Sequence, residues 1–298
     1  METGLEPSFV AAALYDACIA ELAALKPGNV GLHGEGHGML VDEFVRSAAA
    51  IKGPISSRDA AVGQRIFNAV LATREVVSCN TNLGIVLLCA PLAHAALLSK
   101  SGQTLRDALR STLRELTVGD AEQAFRAIRL ANPGGLGEAA RYDVRNADPM
   151  PQVTLQDAMR EAAARDSIAR QYANGFTEVF EIGATSLRDA LNRGWTEAWA
   201  TSACYLHLLA LFADTHIARK SGIAAARRVS VRAQMLDASV RRASDPQSLY
   251  SELAAWDFEL KRDGLNPGAT ADLTVASLFV VKLAQGRADT LNVSEDSD

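Results

Sequence analysis

The sequence predicts an all-α protein, and three observations carry that expectation. Alanine and leucine dominate an apolar fraction of 48%, aromatics make up only 6%, and β-branched residues are scattered rather than clustered, a balance that favours helices over sheets. Residues 83–98 form an almost wholly apolar run opened by Asn80-Thr81-Asn82, which reads as a helix buried on all sides at the centre of a helical array. Elsewhere apolar residues recur at helical spacing, with no convincing strand pair and no fixed-period repeat.

Taken in order, Phe9, Leu14, Cys18, Leu22 and Leu25 place a first helix over about 7–25, ended by Pro27-Gly28. The segment 26–39 holds five glycines and two of the five histidines, so it is a loop, and so long a loop inside a helical domain usually serves a function. Helices follow over 41–51 and 59–77, the latter capped by Ser57-Arg58-Asp59, and then the central helix, whose polar opening offers Asn and Thr caps. Two shorter helices span 104–116 and 120–130, and a Pro-Gly-Gly loop leads into an irregular polar stretch, 138–152, that suits a lid. Thr154 caps a helix to about 173, with Asp166 and Arg170 on one face. Helices over 175–192, 195–219, 222–243 and 249–260 come next, and a last apolar helix with Asp272 in its first turn ends near Gln285. That makes about twelve helices.

A chain of 298 residues can bury a sizeable core. A single all-helical domain over 1–298 is expected, with its core at about 7–286 and an acidic, disordered tail over 287–298. The net charge of −5, with acids and bases interspersed, excludes a basic nucleic-acid groove. Four cysteines placed singly suit a reducing cytoplasm. The N-terminus lacks a signal-peptide pattern, and the run 83–98 is too short, and too interrupted by Pro91 and His94, to span a membrane. The expected partners are therefore small molecules, neither nucleic acid nor membrane, and a homodimer is compatible with the sequence.

Polar corners interrupt this apolar array at Lys26–Asp42, Asn80–Gly84, Asp166–Arg170, Asp214–Lys220 and Asp272. Glycines, amides and cations suit phosphate oxygens, and lone aspartates suit magnesium, which prefers oxygen ligands and keeps water. Asp214, directly after an apolar run, needs a cation, a metal or a hydroxyl donor beside it. No Rossmann or P-loop glycine pattern occurs. Together these corners suggest a phosphorylated small molecule with a divalent ion.

Lys26-Pro27-Gly28-Asn29-Val30, His37 followed by Phe44 and Ser47, Asn80-Thr81 with Gly84, Asp214-Thr215 and Ala271-Asp272-Leu273 stand in an order that resembles the triphosphoribosyl-dephospho-CoA synthase family over about residues 10–285. The resemblance implies an all-helical enzyme that attaches the triphosphoribosyl part of ATP to the 2′-hydroxyl of 3′-dephospho-CoA and expels adenine. In the lyase-associated members Asn-Thr is followed by His-Lys-Gly, whereas here Asn82-Leu83-Gly84 follow. A lysine missing from a phosphate-facing turn removes a contact worth roughly 1.5–3 kcal/mol. Asn-Thr-Asn-Leu-Gly, with Pro-Gly-Gly-Leu-Gly at 133–137 and Arg-Asp-Ser-Ile-Ala-Arg-Gln-Tyr at 165–172, resembles a branch found in methanogens and methylotrophic bacteria.

For such a reaction Asp214 is the first candidate magnesium ligand and Asp272 the second, while His37 or Asp42 would serve as base or ribose ligand. Lys26, Gly28, Asn29, His33, Asn80, Thr81, Asn82, Gly84, Asp166, Arg170, Thr215, His216 and Lys220 are the candidate substrate and phosphate contacts. Alternative readings are an enzyme of one-carbon coenzyme assembly on the same scaffold, of methanopterin or methylofuran type, a non-catalytic nucleotide-binding protein, and an N-ribosyl hydrolase.

Overall fold

Helix α1 (Pro7–Ala23) begins with proline in its first turn, where a missing N–H breaks no helical bond. The structure is a computed structural model, and it describes residues 4–134 and 152–295, with side chains as far as 286. After the glycine loop come α2 (Val41–Ser56), α3 (Val62–Val76), α4 (Leu83–Leu98), α5 (Leu105–Arg114) and α6 (Val118–Ala131). Next are α7 (Leu155–Ala162), α8 (Ser167–Asn174), a π-helical turn (Glu178–Gly183) running into α9 (Ala184–Asn192), α10 (Glu197–Leu211) and α11 (Thr215–Ser221). Finally, α12 (Ile223–Arg242), a 3₁₀ turn (Pro246–Leu249), α13 (Tyr250–Arg262) and α14 (Gly268–Glu295) complete the described chain. No strand occurs among the described residues, and isolated bridges inside the glycine loop pair Gly31 with Gly34 and Gly36 with Met39.

The expected central helix is α4. All its residues are buried except Gly84, His94 and Leu98, and it packs on α14, α5, α3 and α2. Two further helices are largely buried over their central turns. One face of α10 (Cys204, Leu208) joins the larger core around α4, and its other face (Tyr205, Leu206, Leu209) joins a second core with α12 and α13. Helix α14 bridges the same two cores, with Ala271 in one and Leu273 to Leu283 in the other.

Several boundaries differ from the sequence expectation, and the capping side chains explain most of them. The helix expected over 154–173 is two helices, because Asp166 Oδ1 accepts from the amides of Ile168 and Ala169 and restarts the chain as α8. The helix expected over 195–219 is also two, because Asp214 Oδ1 accepts from the amides of His216 and Ile217 and begins α11. Among the described residues these two breaks turn twelve helices into fourteen. The cap expected from Ser57-Arg58-Asp59 is absent, and α3 is instead capped across the fold, the Gly63 amide donating to Asp120 Oδ1 at 2.7 Å. Helix α14 continues past Gln285 to Glu295 with no proline to stop it, so the tail expected to be disordered is helical that far. The lid expected over 138–152 falls almost wholly outside the described residues. No helix among the described residues is long and apolar enough to cross a membrane.

Candidate active site

The N-terminus of α4 meets the first turn of α14. Asn80 Oδ1 accepts from the Leu83 amide (3.1 Å) and so supplies the cap, while Asn82 turns its side chain to Thr73 Oγ1 (3.1 Å) and Thr81 donates to Ser47 Oγ (2.6 Å). Gly84 follows with its Cα against a carboxylate: a Cβ there would lie 2.0 Å from Asp272 Oδ2. Only glycine allows this approach. Asp272 is half-buried and, among the described residues, has no hydrogen bond or ion pair. Burial pushes its carboxyl well above the usual carboxylate range, with Glu21, Asp214 and Asp166 adding to the effect and Arg219 opposing it. Leu83, at the position where the lyase-associated pattern has lysine, packs into the larger core.

Asp214 lies below this junction. Besides the two α11 amides, its Oδ2 accepts from the Thr270 amide (2.8 Å) and hydroxyl (2.7 Å), so four donors surround the carboxylate. Of the cation, metal or hydroxyl donor expected beside Asp214, the structure supplies a hydroxyl, that of Thr270, and the carboxylate ties α11 to the start of α14. Burial still raises its pKa, against the lowering effect of those hydrogen bonds.

The glycine loop forms a third wall. Lys26 is sealed from solvent, and its ammonium donates to Glu21 Oε1 (2.6 Å), Asn29 Oδ1 (2.8 Å) and the Val30 carbonyl (2.8 Å). All three of its N–H groups are taken, so the phosphate contact expected of Lys26 has no donor left, and the residue fixes the loop instead. Asn29 extends the tie by donating to Asn266 Oδ1 at 2.8 Å. His37, in the left-handed region at φ 57°, places Nε2 2.8 Å from the Gly28 carbonyl. A carbonyl only accepts, so Nε2 carries a proton, and in the neutral ring Nδ1 is the free acceptor.

A fourth wall comes from α8 and α11. Asp166 and Arg170 do not pair with each other. Asp166 Oδ2 accepts from Arg219 (2.6 Å), and Arg170 makes a two-pronged pair with Glu178 in the π-helical turn while lying over the Phe212 ring. Thr215 accepts from the Ser167 amide (3.2 Å) and pairs with its hydroxyl (2.9 Å), joining the two helices. The His216 ring packs on Gly268 and its Nε2 is buried without a partner among the described residues; burial first, then Lys220, Arg219 and His37, hold its pKa down to about 4.

Four separate corners thus converge: Asp272 with Gly84, Asp214 with His216, the Glu21–Lys26 pair with His37, and Asp166 with Arg219. A family model for ATP:dephospho-CoA triphosphoribosyl transferase matches residues 7–290, nearly the full described length. The chain belongs to the ATP:dephospho-CoA triphosphoribosyl transferase family. A crystal structure assigned to a triphosphoribosyl-dephospho-CoA synthase of Archaeoglobus fulgidus is similar at 25% identity and a TM-score of 0.60, covering 81% of this chain and 97% of that one. No curated protein gives a significant sequence match. As a member of this transferase family the chain is an enzyme, and ATP is a substrate of the family.

Not every expected triphosphoribosyl transferase site residue reaches the cluster. Asp42 is 71% exposed and pairs with Arg46 on its own helix, and Lys220 is exposed beside Gly134. His33 is exposed and lines a cleft of about 470 Å³ on the outer side of the loop, with Tyr250, Phe258 and Lys261; none of the lining residues belongs to the aspartate cluster. Conversely, Arg219, Glu21 and Thr270 reach the cluster but were not singled out from sequence. Glu21 carried a usable signal: with Leu14, Cys18 and Leu25 it falls on one helical stripe, so it is an acid on an apolar face. Arg219 carried none, since choosing it over Lys220 needs the register of α11.

Proposed function

We propose that this enzyme moves a phosphoribosyl group from a nucleotide such as ATP to an acceptor hydroxyl with release of the base, in the hollow between α4, α11, α14 and the glycine loop. The observation that supports this most is Asp272, a carboxylate without a partner among the described residues and pressed against the first turn of α4. First-turn amides of a helix lack internal acceptors and favour anions, and Arg219 adds a cation beside Asp272.

In this reading the donor's phosphates lie along the α4 N-terminus and Arg219. The bond between C1′ and the base nitrogen breaks, its electron pair leaving on the base, through an oxocarbenium-like transition state. The acceptor oxygen bonds to C1′, and its proton passes to Nδ1 of His37. Lys26, Asn29 and Asp214 hold these walls in place without touching substrate.

Magnesium fits this donor set in a limited way. Among the described residues no group of three or more His, Cys, Asp or Glu is arranged to hold a metal, and Asp214 is fully engaged, so Asp272 is the one carboxylate that would meet the ion, with phosphates and water completing an oxygen shell. When bound, magnesium would neutralise charge between Asp272 and the phosphates.

The position of Leu83 in the core favours a second reading of the acceptor: the same transfer chemistry serving one-carbon coenzyme assembly rather than dephospho-CoA, in the cytoplasm.

Chromatographic detection of adenine from ATP, with and without 3′-dephospho-CoA, tests the proposal. Acceptor-dependent adenine release, lost in a folded Asp272→Asn variant, supports it. Release without acceptor indicates a hydrolase. Tight ATP binding with no release across acceptors indicates a non-catalytic nucleotide-binding protein, and either result overturns transfer.

A further inference from the structure

We infer that Asp257, on α13, is a positioning residue that sets the tautomer and the aim of His37 through Gly28, an assignment whose catalytic meaning rests on the role proposed above for His37. Both peptide groups flanking Gly28 are hydrogen-bonded at both ends. The Pro27 carbonyl accepts from the Tyr205 hydroxyl (2.8 Å), and the amide of the same peptide group, on Gly28, donates to Asp257 Oδ1 (2.8 Å). The Asn29 amide donates to the Lys26 carbonyl (2.9 Å), and the Gly28 carbonyl accepts from His37 Nε2 (2.8 Å).

Gly28 has no freedom to shift within this clamp. Its φ is +84°, and a Cβ there would stand 2.8 Å from the Leu265 carbonyl oxygen and 2.9 Å from Leu260 Cβ. Asp257 is itself fixed. It is buried, and its Oδ2 accepts from Lys261 (2.8 Å), whose ammonium also donates to the Gly34 carbonyl (2.7 Å). Helix α13 therefore grips the loop at 28 and 34, while His37 reads its proton position from the carbonyl that this grip aims. Asp257 does for the ring, at one remove, what a directly bonded carboxylate does for a catalytic imidazole: it fixes which nitrogen holds the proton and where the other nitrogen points.

Long-range ¹H–¹⁵N NMR of the full chain labelled at histidine, at alkaline pH where imidazoles are neutral, reads this directly. His37 should hold its proton on Nε2 in the unsubstituted protein. Asp257→Ala should mix the two tautomers and lower kcat about tenfold or more, a fraction of the usual worth of a general base, with KM for ATP little changed. The double variant Asp257→Asn/Lys261→Met, which keeps an acceptor for the Gly28 amide and removes the ammonium that would otherwise face it, should restore the single tautomer. A proton on Nδ1 in the unsubstituted protein overturns the inference whether or not any variant folds, as does an unaltered tautomer in folded Asp257→Ala. Mixed tautomers with unchanged turnover would uphold the positioning by Asp257 and remove His37 from the proposed chemistry.

Discussion

The Lys26 ammonium lies 2.6 Å from the Glu21 carboxylate, and both groups are sealed from solvent. Burial pulls each toward its neutral form, raising the pKa of Glu21 and lowering that of Lys26, while their mutual attraction opposes both shifts. Removing one member leaves a buried charge unpaired. Lys26→Met should destabilise the protein by about 3–5 kcal/mol, and Glu21→Gln/Lys26→Met should recover most of that loss in urea denaturation. The folded double variant should keep the KM for ATP. A large rise in that KM at unchanged stability would return Lys26 to the phosphates.

Asp272 leads to the opposite expectation for stability. A carboxyl whose folded pKa is raised favours folding below its unfolded value near 3.8, and that contribution is lost as pH climbs through the raised folded value. Asp272→Asn removes the loss. It should be more stable than the unsubstituted protein at neutral pH, by roughly 1–3 kcal/mol, yet inactive. Equal stability of the two proteins across the acid-to-neutral range would show that the carboxylate is not strained.

Gly84→Ala would drive a methyl into that same carboxylate. Overpacking of this kind typically destabilises by about 1–3 kcal/mol, and here it also displaces the corner proposed to meet the substrate. Turnover should fall far more than the melting temperature. Alanine tolerated with full activity would mean that α4 and α14 can part without consequence.

His216 titrates in the opposite sense to a histidine that has gained a partner. Its folded pKa, near 4, lies below its ordinary 6.5, so the unfolded chain binds the extra proton first. Stability should fall as pH drops from about 6.5 to about 4 and should level off below that. The slope from this one group amounts to about 2–3 kcal/mol at 1.36 kcal/mol per pKa unit, after allowance for its partial exposure. His216→Asn should flatten that part of the stability–pH curve, and an unchanged slope would assign the acid sensitivity to other groups.

The all-helical class, the buried α4 and the polar corners were legible because each rests on local pattern: apolar spacing, glycine density and polar residues beside apolar runs. Interruptions at Asp166 and Asp214 were not, because a side chain that restarts a helix looks in sequence like one that decorates it. Pairing was the least accessible level. Asp166 and Arg170 stand four apart, yet each chose a distant partner, Arg219 and Glu178, since tertiary neighbours offered better geometry than the shared face. Lys26 reads from sequence as a phosphate contact, whereas its ammonium is engaged by Glu21, Asn29 and the Val30 carbonyl; a lysine beside glycines looks the same from sequence whether it meets a phosphate or a buried glutamate.

Helix α10 belongs to both cores at once. Neither half can melt while the other stays ordered, so heating should produce a single sharp calorimetric transition, and a nucleotide seated at the seam would shift that one transition for the entire molecule.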